Sequence, residues 1–211
     1  MAMEVNEASV CVRLAMKDES PLILELIQQL AEFERLTHMC EATQSGIEST
    51  LFNFPPFEGP TVFFLEINPT SPTNPSPSSE NPKDRFENIV QNLSFNPPVN
   101  DPDAQNFISK SGGTVVGFVL FFRNYSTFLT KPGFYIEDLF VRKPYRRRGL
   151  GTILLKAVAS QATKLGFSRV EWSVLDWNVN AIKFYEDMGA HLLQEWRICR
   201  LTCKALEAFG V

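Results

Sequence analysis

Tyr145-Arg146-Arg147-Arg148-Gly149-Leu150-Gly151 sets three guanidinium groups and two glycines between an apolar strand, Phe134 to Val141, and an amphipathic helix that begins near Gly149. A helix N-terminus has N–H groups without intrahelical partners and a partial positive charge, and glycine lets an anion approach the backbone closely. Such a junction can grip a pyrophosphate, with Arg146 adding a charged fork. The spacing Arg-x-x-Gly-x-Gly is neither the Gly-x-Gly-x-x-Gly of dinucleotide sites nor the Gly-x-x-x-x-Gly-Lys-[Ser/Thr] of nucleoside triphosphatases, so a different phosphate ligand is implied. A basic run also reads as a solvated turn, a nuclear localisation signal or a nucleic-acid patch. The order strand, basic turn, glycine pair, helix is what favours phosphate.

Other residues carry acid–base capacity. Glu137 and Asp138 are consecutive in an otherwise apolar strand, so alternation sends them to opposite faces, and a buried acid needs a partner or a cleft. Glu34, at the end of a helix, reads equally as an exposed carboxylate or a cation anchor. Tyr185 has a phenol that stays protonated at neutral pH and can donate a proton; with Phe184 beside it, packing is the plainer account. Cys11, Cys40, Cys199 and Cys203 are scattered without a Cys-x-x-Cys pair, and His38 and His191 are the only imidazoles. Free thiols, no metal and no cysteine nucleophile are expected.

The elements that must position these groups follow from periodicity. Val10 to Met16 reads as a strand, and Asp18 or Ser20 with Pro21 opens a helix to about Leu36. A second helix covers Thr43 to Phe52. Thr61 to Ile67 and Thr114 to Arg123 are strands that should pair, and Phe134 to Val141 is the antiparallel neighbour of the latter across a loop containing Pro132-Gly133. The helix from Gly149 to about Leu165 is stopped by Gly166, and Ser168 to Val174 is a strand. Asn178 caps a short helix through Tyr185 that ends at Gly189. Leu192 to Cys203 supplies a last strand or strand pair.

Asn68 to Gln105 is dominated by Pro, Ser, Asn and Asp. It reads as a long, mostly disordered insert with a short helical piece at Phe86 to Leu93, and its deletion is expected to leave the fold intact. The chain has 211 residues, 44% hydrophobic and 21% charged, with a net charge of -4. That suits a single domain over residues 1–211 and argues against general nucleic-acid affinity. No apolar run reaches the roughly eighteen residues of a membrane span, and no signal peptide is evident. A cytoplasmic location is expected, a nuclear one not being excluded.

Taken together, the basic-glycine loop and Trp177-Asn178-Val179-Asn180-Ala181-Ile182-Lys183-Phe184-Tyr185-Glu186-Asp187-Met188-Gly189-Ala190 resemble the two cofactor motifs of the Gcn5-related N-acetyltransferase (GNAT) superfamily, in the same order. The resemblance runs from Val10 to Cys203 apart from the insert. It implies the acyl-CoA N-acyltransferase fold: an α/β domain with a mixed, mostly antiparallel central sheet flanked by helices. Leu30-Ala31-Glu32-Phe33-Glu34 and Tyr135-Ile136-Glu137-Asp138-Leu139-Phe140-Val141 are similar to the spermidine/spermine-type and thialysine-type diamine acetyltransferases. The Pro/Ser insert is similar to the plant ornithine/diamine branch. Phe33 replaces a Tyr of the polyamine enzymes, and Arg147 replaces a frequent Gly.

By that resemblance acetyl-CoA is the co-substrate. Its contacts fall on Leu139, Phe140, Val141, Arg146, Arg147, Arg148, Gly149, Leu150, Gly151 and Thr152, and on Asn178, Asn180, Ala181 and Tyr185. The amine falls to Phe33, Glu34, Glu137, Asp138, Glu171, Trp172, Ser173 and Glu195. Tyr185 is implied as the acid to the thiolate, and Glu137 as the carboxylate that orients the ammonium and relays its proton through water. The implied reaction is direct acetyl transfer in a ternary complex to ornithine, diaminopropane, a polyamine or thialysine. A homodimer is implied, without nucleic-acid or membrane partners. The alternatives are acetylation of a peptide or protein amine, and a non-catalytic CoA-binding module.

Overall fold

A computed structural model describes residues 6–69 and 86–210. Their contacts divide into two compact units, one running to Ser173 and one from Val174 onward.

The first unit is built on a six-stranded sheet. Its strands are β1 (Asn6–Leu14), β2 (Thr61–Ile67), β3 (Ile89–Phe95), β4 (Thr114–Ser126), β5 (Lys131–Val141) and β6 (Val170–Trp172), in the order β3-β1-β2-β4-β5-β6. Every pairing is antiparallel except β5 with β6, which is parallel, so the sheet is mixed and mostly antiparallel, as expected. Helices α1 (Ser20–Glu34) and α2 (Gln44–Thr50) cover one face. There Ile23, Leu26, Leu30 and Ile47 pack with Val62, Phe64, Phe118 and Phe140. The strand residues that alternate with these build an aromatic layer on the other face. Phe63 lies edge-on to Phe121 at 4.9 Å, Phe121 edge-on to Phe134 at 4.8 Å, and Phe134 edge-on to Phe167 at 4.8 Å. Helix α3 (Leu150–Lys164) runs against β4 and β5, with Leu150, Leu154, Leu155 and Val158 buried.

Several strands differ in extent from the sequence pattern, β1 spanning Asn6–Leu14 where Val10 to Met16 was expected. The β4–β5 hairpin closes at 127–130, so Pro132 and Gly133 belong to β5 and not to a loop. β6 has three residues where Ser168 to Val174 were expected. Leu192 to Cys203 forms no strand: a strand needs a ladder partner, and none pairs with this segment among the described residues. The second unit instead consists of α4 (Val179–Asp187), an irregular stretch and α5 (Cys203–Glu207).

The insert is the larger correction. Its part at 70–85 lies outside the described residues. From Phe86 onward it is integral: the expected helical piece is β3, which pairs with β1 over seven positions, from Asn6↔Phe95 to Val12↔Ile89. Phe86 is buried and stacks on Phe63 at 4.1 Å, and Phe95 and Phe107 are buried as well. Sparse apolar residues suffice here because β3 is an outer strand, held by backbone hydrogen bonds that composition does not report.

A buried ion cluster joins β1, the turn that leads into α1, and β2. Arg13 on β1 donates Nη1 to Glu19 Oε2 at 2.7 Å and Nε to Glu66 Oε1 at 2.9 Å, with all three side chains almost inaccessible. Ser111 donates to the second Glu66 oxygen, and the Met16 N–H donates to Glu19. Burial alone would strip charge from the guanidinium; hydrogen bonds to both carboxylates outweigh it and hold Arg13 charged beyond its ordinary range. Removing one partner of such a cluster leaves uncompensated buried charge, which costs about 3–5 kcal/mol. Arg13→Met is therefore expected to lower unfolding stability by about that amount in urea titration; an unchanged midpoint would refute the role given to the cluster.

Candidate active site

Strand β5 ends the sheet's order at one residue. Its register with β4 shifts between Leu120↔Asp138 and Phe121↔Ile136, which leaves Glu137 as the extra residue of a β-bulge. Its pairing with β6 runs from Phe134↔Val170 to Ile136↔Trp172 and stops there. From Glu137 to Val141 the edge that faced β6 is thus without that partner. Farther along, β4 and β5 press together: a Cβ on Gly117 would come within 2.6 Å of the Phe140 carbonyl oxygen.

Strict alternation, the basis for expecting Glu137 and Asp138 on opposite faces, does not carry across an inserted residue. Glu137 is exposed and Asp138 half-buried. Burial first, then the charges of Glu137 and Glu34, push the Asp138 carboxyl up to about 7. Glu34, at the last turn of α1, is itself raised by burial. Asp138 thus lies within the electrostatic reach of both Glu137 and Glu34, and the three carboxylates form one group.

Val141 leads into the basic loop through a 3-10 turn, Lys143–Tyr145. Arg146 donates Nε to the Val141 carbonyl at 2.8 Å, and its guanidinium lies 4.2 Å from the Phe33 ring and 5.1 Å from that of Phe140. Burial lowers its pKa from the ordinary arginine value. Phe33 therefore stacks on the loop as a cation–π partner, and links α1 to it. Arg147 and Gly149 are left-handed, with φ of 60° and 79°. Space is open around Gly149, where an added Cβ would meet nothing within 4 Å, and Gly149 provides no side chain to cap α3. The first-turn N–H groups of Leu150, Gly151 and Thr152 are consequently available to an outside acceptor. Arg148 turns elsewhere: its Nη1 donates to the Pro97 carbonyl at 2.8 Å.

On β6, Glu171 accepts from Asn124 Nδ2 at 2.8 Å, and just after the strand Ser173 Oγ hydrogen-bonds the Tyr135 hydroxyl at 2.7 Å, so both are engaged with neighbouring strands, with Trp172 between them. In the second unit Asn178 caps α4 as expected, its side chain accepting from the Ala181 N–H at 3.3 Å. Asn180 and Ala181 lie in the first turn, Tyr185 is two turns in with its ring 5.1 Å from Phe184, and Gly189 ends the element at φ 88°. Glu195 is in the irregular stretch that follows.

The Acetyltransferase (GNAT) family model matches residues 64–190. The chain belongs to this family. It is an acetyltransferase by that membership, and the matched span holds β5, the basic loop, α3 and α4. Among relatives, the chain is 54% identical over 200 residues to an L-ornithine N5-acetyltransferase, NATA1, of Arabidopsis thaliana, covering 93% of this chain and 86% of the relative. It is 35% identical over 211 residues to tyramine N-feruloyltransferase 4/11 of Nicotiana tabacum, covering 95% and 91%. A thialysine N-epsilon-acetyltransferase of Mus musculus is 29% identical over 188 residues, covering 89% and 88%. The resemblance to the diamine acetyltransferases and their plant branch is thereby confirmed. An integron cassette protein from the mobile metagenome of V. cholerae shares the GNAT fold, with a TM-score of 0.60 at 18% identity over 94% of this chain and 96% of that one. Among the described residues no helix is long and apolar enough to cross a membrane.

Two residues of the loop's surroundings escaped the sequence pattern. Arg142 and Asp101 form a buried pair, with Nη1–Oδ2 at 2.7 Å, and Asp101 comes from the insert. An arginine at a strand end and an aspartate in a Pro-rich stretch carry no local mark of pairing.

The Asp138 carboxyl gives a signed pH dependence. Folded, it holds a proton to about pH 7; unfolded, it releases it near pH 4. Between those values the folded state binds more protons, so its stability falls as pH rises. Asp138→Asn is expected to remove that slope, its urea midpoint gaining on the wild type from pH 5 to pH 8. Parallel profiles would mean that Asp138 titrates normally.

Proposed function

We propose that this protein transfers the acetyl group of acetyl-CoA to a primary amine of a small diamine or diamino acid, by direct attack in a ternary complex. The observation that carries the reading is the carboxylate group of Glu34, Glu137 and Asp138, at the bulge where β5 leaves β6 and on the strand that leads into the basic loop. Three acids near one point suit an acceptor with more than one cationic centre. The names of the Arabidopsis and mouse relatives, an ornithine and a thialysine acetyltransferase, support the same class.

In this reading the first-turn N–H groups of α3 hold the pyrophosphate, assisted by Arg146. Main-chain groups at Leu139 and Val141, on the edge free of β6, hold the pantetheine arm. An alkylammonium with pKa near 10.4 must lose a proton before it can attack. Glu137 orients the ammonium and Asp138, poised near neutrality, receives the proton directly or through water. The neutral nitrogen attacks the thioester carbonyl and the new C–N bond forms; as the C–S bond breaks, the thiolate takes a proton from the Tyr185 phenol, and the second proton that the nitrogen sheds on becoming an amide returns to the Tyr185 oxygen through water. Glu171 and Ser173, already hydrogen-bonded within the sheet, serve as walls and not as anchors.

A second acceptor class is favoured by one observation, the 35% identity to a tyramine N-feruloyltransferase across nearly the whole chain. An aromatic monoamine brings one cation to the three carboxylates where a diamine brings two, which is why the diamine is preferred.

Thiol release from acetyl-CoA is the test, with ornithine, lysine, thialysine, diaminopropane, putrescine, spermidine, tyramine, a histone-tail peptide and an acceptor-free blank; feruloyl-CoA is run as a second donor. Rapid turnover of acetyl-CoA with one small diamine or diamino acid is expected. Activity confined to tyramine or to the peptide would replace the acceptor class, and silence with acetyl-CoA still bound would leave a CoA-binding module. Tyr185→Phe is expected to lower kcat by about 10²-fold or more with CoA affinity kept, the scale of general acid catalysis. Full turnover in that variant would remove Tyr185 as the acid.

A further inference from the structure

The limb by which the insert returns to the sheet, residues 95–107, touches the basic loop on both of its flanks. Before the loop, Asp101 receives both Nη groups of Arg142, Oδ2 at 2.7 Å and Oδ1 at 3.0 Å, and the Tyr145 hydroxyl donates to Oδ2 at 2.9 Å. The Arg142 guanidinium lies 3.5 Å from the centre of the Phe107 ring, and both side chains are almost fully buried. After the first turn of the loop, Arg148 donates to the Pro97 carbonyl and lies 5.5 Å over the Phe95 ring. The limb therefore holds the chain at 142, 145 and 148.

Between those anchors and α3 lie the two left-handed residues, Arg147 and Gly149. A non-glycine at φ 60° is held there only when its surroundings fix it. The spacing of the N–H groups that meet a pyrophosphate depends on that backbone path. Asp101 is also the only carboxylate that pairs Arg142 among the described residues, while Arg142 Nε is buried without a hydrogen bond. Without Asp101 the guanidinium is a buried charge with no counter-ion, and the turn that carries it must move toward water.

We infer that Asp101 is a positioning residue for acetyl-CoA: acting through Arg142 and Tyr145, it fixes the basic loop in the shape that binds the donor's pyrophosphate, and the insert's return limb is a brace for that loop. The inference rests on the donor assigned under Proposed function. It gives the insert a part in the proposed reaction that its composition hides, and the effect falls on donor binding, since the limb's hydrogen bonds run to Arg142, Tyr145 and Arg148 of the basic loop and its flank.

Direct binding of CoA by titration calorimetry tests this, alongside steady-state kinetics and melting temperature, on the full chain. Tyr145→Phe removes one hydrogen bond to Asp101 and is expected to weaken CoA binding about 2–10-fold, the range for a single hydrogen bond. Asp101→Asn, which removes the charge, is expected to weaken it about 10–100-fold, within the range for breaking a charge-assisted contact. Asp101→Glu is expected to recover part of the loss. In each, kcat at saturating acetyl-CoA and the KM for the amine stay within about twofold of wild type, a split that a general loss of structure does not produce. Should Asp101→Asn fail to fold, Tyr145→Phe decides. Unchanged CoA affinity in a folded variant overturns the brace, as does an amine KM that rises with the CoA dissociation constant. A wild-type chain that binds no CoA overturns the donor assignment itself, and the brace with it.

Discussion

One constraint organises the first unit: β5 must stay hydrogen-bonded to β4 while parting from β6, and it does both at Glu137. A parallel pair that continued in register would fill the free edge with a neighbour's backbone. The bulge against β4 supplies the bend, and the end of the β6 ladder at Ile136 supplies the opening. Because the inserted residue is itself an acid and is followed by another, the same irregularity that opens the edge also gathers negative charge there. Backbone geometry and electrostatics meet at one residue.

Buried charge then fixes what lies on either side. Arg13, with Glu19 and Glu66, ties β1 and β2 to the start of α1. Helix α1 carries Phe33 and Glu34 at its other end, so the cluster at the start of the helix and the cation–π contact at its end set where the carboxylate group meets the basic loop. Arg142 with Asp101 does the same for the loop itself. Neither pair is a cheap source of stability, since desolvation offsets most of the Coulomb gain. What each provides is a single allowed arrangement, because any other leaves a charge buried alone.

The candidate site was partly legible. Arg146 and Gly149 were marked by the switch from an apolar strand to a basic, glycine-bearing helix start, and both are where that pattern put them. Asn178 was readable as an N-cap because capping is a contact three residues long. The bulge at Glu137 carries no local mark, since it is set by the register with the neighbouring strand. Nor does a local pattern mark the Pro97 acceptor of Arg148, which arrives from 51 residues away. The stretch from Leu192 to Cys203 has apolar residues fit for a strand, but a strand exists only where a partner's edge is offered.

By itself the sequence determined the local elements and the side chains they carry: helices where apolar residues recur on one face, strands where β-branched and aromatic residues cluster, a basic, glycine-bearing helix start, and a phenol on a capped helix. These follow from interactions within a few residues of chain, which the order of side chains fixes directly. The tertiary structure alone decided that β3 lies inside an insert of disordered composition, that Glu137 is the extra residue of a bulge, and that Arg13 and Arg142 find carboxylates 53 and 41 residues away. Such contacts depend on which strand edges and which buried charges meet once the chain is closed, and that is a property of the whole packing and not of any stretch of it.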